Sequence, residues 1–84
     1  MLLEELLNES DHEVWFRIVP EDGKPIEIWS ADYHGEFEPT MDEVAPFLDM
    51  EIVGDGFRVE MTQDPEGGSQ RRVPIIVVPV GNLL

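Results

Sequence analysis

The chain reads as a small α+β domain: an antiparallel sheet of about five strands with one or two short helices on one face. Three stretches carry that expectation. EVWFRIV (13–19) alternates apolar and polar residues, MEIVGDGFRVEM (50–61) does so on both sides of a glycine-rich turn, and MLLEELLNES carries leucines at helical spacing. Eighty-four residues leave room for one core, so residues 1–84 are expected to form a single acidic domain.

Residues 2–9 set Leu2, Leu3, Leu6 and Leu7 on one side and Glu4, Glu5 and Glu9 largely on the other. That is an amphipathic helix too short to stand without docking. In 13–19, Val14, Phe16 and Ile18 alternate with Glu13, Trp15 and Arg17, the pattern of a half-buried strand. Pro20-Glu21-Asp22-Gly23-Lys24-Pro25 supplies a turn, and Ile26 to Ser30 reads as the returning strand. Ala31 to Pro39 has no clear period and reads as a loop.

Thr40-Met41-Asp42-Glu43 matches a capping box, with Thr40 as N-cap and Glu43 at N3, opening a helix over roughly 41–48 that Pro46 limits. Residues 50–61 give the strongest hairpin signal. Met50 and Ile52 lie on one strand, Gly54-Asp55-Gly56 turns, and Phe57, Val59 and Met61 return on the same face. Asp64 to Gln70 reads as the most flexible segment. Arg71 to Val80 forms a final apolar strand, placed at a sheet edge because Pro74 and Pro79 cannot donate ladder hydrogen bonds. Covering that edge falls to Leu2, Leu3, Leu83 and Leu84. Left open, the edge at 73–80 would pair with a second copy as a homodimer.

Charge does most of the excluding. Lys plus Arg number 5 against 19 Asp plus Glu, a formal net charge of −14. Binding the phosphates of nucleic acid needs clustered cations, and here only Arg71 and Arg72 adjoin. Direct nucleic-acid binding and anionic membranes are therefore disfavoured. The longest apolar run, Ile75 to Val78, is far short of a membrane span. The opening residues lack the basic stretch of a secretory signal. Cysteine is absent, which removes disulfides, thiolate metal sites and cysteine catalysis and suits a cytoplasmic protein.

No constellation reads as an enzyme. Asp32-Tyr33-His34 and Asp11-His12 offer no further ligands, so no metal or cofactor is expected, and each histidine reads as a surface or structural residue. Gly54-Asp55-Gly56 sits in a hairpin signal with no helix behind it to cradle phosphate.

What remains is the acidity itself. From Asp32 to Asp55 stand carboxylates at 32, 36, 38, 42, 43, 49, 51 and 55 with no Lys or Arg, and residues 1–13 add five more without a cation. Such runs build a negative face that repels nucleic acid and attracts basic protein surfaces. Solubility, or adaptation to a salty cytoplasm, accounts for the same charge; binding of a basic partner, such as a nucleic-acid-binding enzyme, gives it a function. The candidate contact residues are Glu36, Glu38, Asp42, Glu43, Asp49 and Glu51. Trp29 and Tyr33 join them as aromatic anchors. Trp15 and Trp29 fall on the face opposite Val14, Phe16 and Ile18; the favoured expectation is that the leucine helix covers them, making both core.

In size and charge the chain resembles the small acidic inhibitors that phages and mobile elements direct against DNA-handling enzymes. Uracil-DNA glycosylase inhibitors carry a Glu-Ser-Ile motif; its nearest counterpart here, Glu9-Ser10-Asp11, lacks the apolar third residue, and the chain is not assigned to that family. The expected function is thus a non-enzymatic binder of a basic protein surface, an inhibitor imitating nucleic acid. The alternative is a structural subunit, adaptor, antitoxin or immunity-type protein using an apolar face or the C-terminal strand.

Overall fold

The computed structural model describes residues 1–65 and 71–81; the flexible reading of 66–70 and the covering role of Leu83 and Leu84 lie outside the described residues. In chain order the elements are α1 (Leu3–Glu9), β1 (Trp15–Pro20), β2 (Ile26–Trp29), α2 (Ser30–His34), α3 (Glu38–Val44), a 3-10 turn (Ala45–Phe47), β3 (Glu51–Ile52), β4 (Arg58–Gln63) and β5 (Arg72–Gly81). The protein is α+β, a five-stranded sheet with three short helices on one face.

The hairpin β1–β2 forms as its alternation requires, with Trp15 opposite Trp29 and Ile18 opposite Ile26. The sheet is mixed rather than antiparallel throughout, because β1 and β5 pair in parallel, Trp15 with Ile75 through Pro20 with Val80. β5 is central and not an edge: β1 lies on one side, β3 and β4 on the other. A homodimer through 73–80 therefore loses the free edge it needed.

Two proline positions reconcile β5 with the interior. Val53 donates its N–H to the Pro79 carbonyl at 3.0 Å, so the nitrogen of Pro79 also faces β3, at the point where that strand breaks off. By alternation Pro74 faces the β1 side, one residue before the first β1 pair at Ile75. Neither missing N–H interrupts a formed ladder.

The hairpin expected over 50–61 does not form. β3 and β4 do not pair with each other; both run antiparallel to β5 along its same edge. From Ile52 opposite Val80 to Arg58 opposite Val77, the outer strand advances six residues while β5 advances three. The excess is a bulge, with Gly54 and Gly56 at φ of 69° and 87°. An odd excess also swaps the alternation, so Ile52 and Val59 still share a face.

Helix α1 matches its leucine pattern, burying Leu3, Leu6 and Leu7. Its first N–H groups donate outward, Leu3 to the Met50 carbonyl and Glu4 to the Leu48 carbonyl, both at 3.0 Å. Glu5 Oε1 accepts from the Leu2 N–H at 3.0 Å. The stretch 31–39, expected as loop, contains α2 and the start of α3. Thr40 is not an N-cap: α3 begins at Glu38 after Phe37, and Pro39 occupies the first turn, where a missing N–H leaves no gap. The α-helix ends at Val44, short of the expected 48, and a 3-10 turn carries the chain through Pro46 to Phe47.

All three helices pack on one sheet face, with Phe16, Ile18, Ile28, Val78 and Val80 meeting Leu3, Leu6, Leu7, Tyr33 and Val44. Among the described residues no helix packs on the opposite face. There Ile75 and Val77 are nonetheless buried. Arg17 tightens this face, donating from Nη2 to Glu27 Oε2 at 2.8 Å and to Thr62 Oγ1 at 3.2 Å, which ties β1 to β2 and, past β5, to β4.

Candidate functional site

The helix layer carries the acidic run. Glu4, Glu5 and Glu9 on α1, Asp32 on α2, and Glu38, Asp42 and Glu43 on α3 are all exposed, joined by Glu36 and Asp49 in the connections. No Lys or Arg occurs anywhere in α1, α2, α3 or the 3-10 turn. The cations sit elsewhere: Arg17 on β1, Lys24 in the β1–β2 turn, Arg58 on β4, Arg71 and Arg72 at the start of β5. Glu27 pairs with Arg17, Glu60 with Arg58, and Glu51 with the amino terminus, and none of these carboxylates is on a helix. Exposed carboxylates also lie off the helices, at Asp11, Glu13, Glu21, Asp22, Glu27 and Asp55, so it is the cations that are segregated, leaving the field of the helical side uncompensated.

The structure divides the expected site residues. Glu36, Glu38, Asp42, Glu43 and Asp49 project from this layer. Glu36 holds φ at 57°, left-handed for a non-glycine residue. Glu51 is half-buried on β3, its Oε2 3.1 Å from the amino terminus, which neutralises it. Tyr33 is a core residue, 8% exposed, and its hydroxyl donates to Asn8 Oδ1 at 3.0 Å, locking α2 to α1. Burial pushes the Tyr33 phenol above its ordinary value, and the nearby Glu4 carboxylate adds to the rise.

Trp29 belongs to the other side of the molecule. It pairs with Trp15 at a ring separation of 5.2 Å and a tilt of 53°. Both are half-buried on the helix-free face, so α1 does not cover them and the expectation that they are core is corrected. They line a cleft of ≈ 290 Å³ with Glu13, Val73, Pro74 and Arg71.

Sequence reasoning overlooked a polar knot beneath α2. Ser30, 1% exposed, donates to the Asp11 carbonyl at 2.6 Å and lies 3.2 Å from Ser10 Oγ. Ser10 Oγ is in turn 3.5 Å from His34 Nε2, and the rings of His12 and His34 stack at 4.1 Å. The two stacked imidazoles form no ligand set: among the described residues no three His, Cys, Asp or Glu side chains gather as a metal site. No described helix is long and apolar enough to cross a membrane.

Compared with protein-family models, with curated proteins and with solved structures, the chain shows no match.

Proposed function

We propose that this is a non-enzymatic binding protein that docks its acidic helix layer on a basic protein surface, in the cytoplasm, occupying a site that otherwise holds nucleic acid. One observation carries the reading: every described Lys and Arg lies outside the helices while seven exposed carboxylates lie on them, with Glu36 and Asp49 in the adjoining connections. A solubilising surface has no need of that segregation. A face of one sign steers an oppositely charged partner and sets the orientation of docking. Glu36, Glu38, Asp42, Glu43 and Asp49 stand where phosphates would, with Glu4, Glu5 and Glu9 beside them.

The test is capture of a partner from a lysate of the source cells on immobilised protein, eluted with rising salt and competed with duplex DNA. The reading expects release at moderate salt and displacement by DNA, as phosphate contacts are lost steeply with ionic strength. A partner indifferent to both sinks it.

A second reading rests on the tryptophan pair. Trp15 and Trp29 are half-buried on a face without helical cover, and paired aromatics of this kind anchor interfaces. A structural or adaptor role through this face expects binding that survives high salt, because apolar burial strengthens with it, and that Trp29→Ala abolishes.

A further inference from the structure

Among the described residues the outer edge of β4 is the longest in the sheet that no strand covers. At the β3 end, the chain's own start covers the edge: Ile52 donates its N–H to the Met1 carbonyl at 2.9 Å, and Leu2 bridges Glu51. The opposite edge, β2, is four residues long and bounded by Pro25 and α2. β4 runs for six residues without proline, and among the described residues no strand pairs with its outer side.

Asp64 donates its N–H to the Arg71 carbonyl and so faces β5; alternation turns Thr62, Glu60 and Arg58 the same way. The backbone groups of Val59, Met61 and Gln63 therefore point outward, and the Met61 carbonyl accepts from Arg72 Nη2 at 3.1 Å, a side chain that a pairing strand has to displace. The side chains beside that edge are apolar. Phe57, Val59 and Met61 share the helix-side face yet are 49%, 65% and 54% exposed, Phe57 bordering a cleft beside Leu6 and Glu9 of α1. A long edge flanked by exposed apolar side chains is what proteins ordinarily blunt.

We propose that β4 pairs antiparallel with β4 of a second copy, about a two-fold axis at Val59 normal to the sheet. The charges select this partner and this register. Arg58 and Glu60 lie two residues apart on the helix-free face and already form an ion pair within the strand. With the axis at Val59, each Arg58 stands opposite Glu60 of the second copy, in the non-hydrogen-bonded position where side chains come closest. Val59 then meets Val59, and each Phe57 meets Met61 of the second copy. Moving the axis one residue either way sets Arg58 against Arg58 or Glu60 against Glu60. The dimer is isologous, its sheet continuous through both copies, and both acidic helix layers face the same way.

The test is sedimentation velocity from about 10 μM to 1 mM protein in about 0.15 M salt, the range of a small strand-edge interface. The parent chain is expected to shift from one to two copies. Arg58→Glu alone and Glu60→Arg alone each weaken association about tenfold, and the two together restore it to within about threefold. Circular dichroism of each variant separates lost pairing from lost folding. Glu60→Arg is the decisive arm. It lowers the net negative charge, so an association governed by overall repulsion strengthens, whereas paired registry weakens. A chain that stays a single copy at 1 mM, or a Glu60→Arg variant that associates more tightly than the parent, overturns the proposal.

Discussion

The N–H of Val53 reaches the carbonyl of Pro79 at 3.0 Å, and Pro79 has no N–H to return. This one-sided contact is where β3 ends and the outer strand departs from the sheet, rejoining at Arg58 opposite Val77. The glycines that make the excursion are needed for their backbone and not for space: a Cβ built on Gly54 or Gly56 meets nothing within 4 Å. Gly54→Ala and Gly56→Ala should each cost about 1–2 kcal/mol, the penalty of a left-handed L-residue. Urea unfolding of the two variants measures it.

Tyr33 gives the fold a signature at high pH. Its phenol titrates above its ordinary 10.0 when folded, so the unfolded chain loses this proton first as pH rises. The stabilisation is complete below about pH 10 and falls away as pH climbs toward the folded value. Tyr33→Phe should cost about 1 kcal/mol at neutral pH through loss of the Asn8 hydrogen bond. The variant lacks the parent's alkaline decline at this group, so the two stabilities converge above pH 10. Denaturation between pH 8 and 11 checks both.

Glu36 occupies a left-handed conformation that asparagine tolerates better. Glu36→Asn should stabilise the fold by roughly 0.5–1 kcal/mol. The same change should weaken partner binding if this residue contacts the basic surface, an opposition of stability and function that thermal unfolding and binding on the same samples would show.

Burial distinguishes apolar residues that the sequence pattern treats alike. Leu7, on the inner face of α1, is fully buried in the core, and Leu7→Ala should cost about 2–5 kcal/mol. Val59 is just as regularly placed by strand alternation but is 65% exposed on β4, and Val59→Ala should change the stability of a single copy by less than about 0.5 kcal/mol. Denaturation at low protein concentration separates the two.

Local pattern and tertiary pairing contributed differently to what could be read in advance. The α1 leucines, the β1–β2 hairpin and the end of α3 ahead of Pro46 follow from periods and breakers a few residues long, and each is present. The course of 50–61 depends on a strand twenty residues further along. Gly-Asp-Gly with positive φ reads as a hairpin turn until β5, ten residues long, offers one edge to both halves. Pro74 and Pro79 argued for an edge because a count of prolines ignores which way each nitrogen points. Helix α2, five residues long, is shorter than any apolar period can reveal. Of the site, the acidic run was legible as composition, but the absence of every Lys and Arg from the helix layer was not. Nor was it legible that Tyr33 turns inward while Trp29 faces the side without helices.

The central claim is that charge position on the helix layer, and not charge total, determines binding. Two charge-matched variants test it against the captured partner. One neutralises α3 with Glu38→Gln, Asp42→Asn and Glu43→Gln; the other neutralises turns with Glu21→Gln, Asp22→Asn and Asp55→Asn. The account predicts that the first loses at least about tenfold in affinity and the second less than about threefold. Equal losses from the two would contradict it.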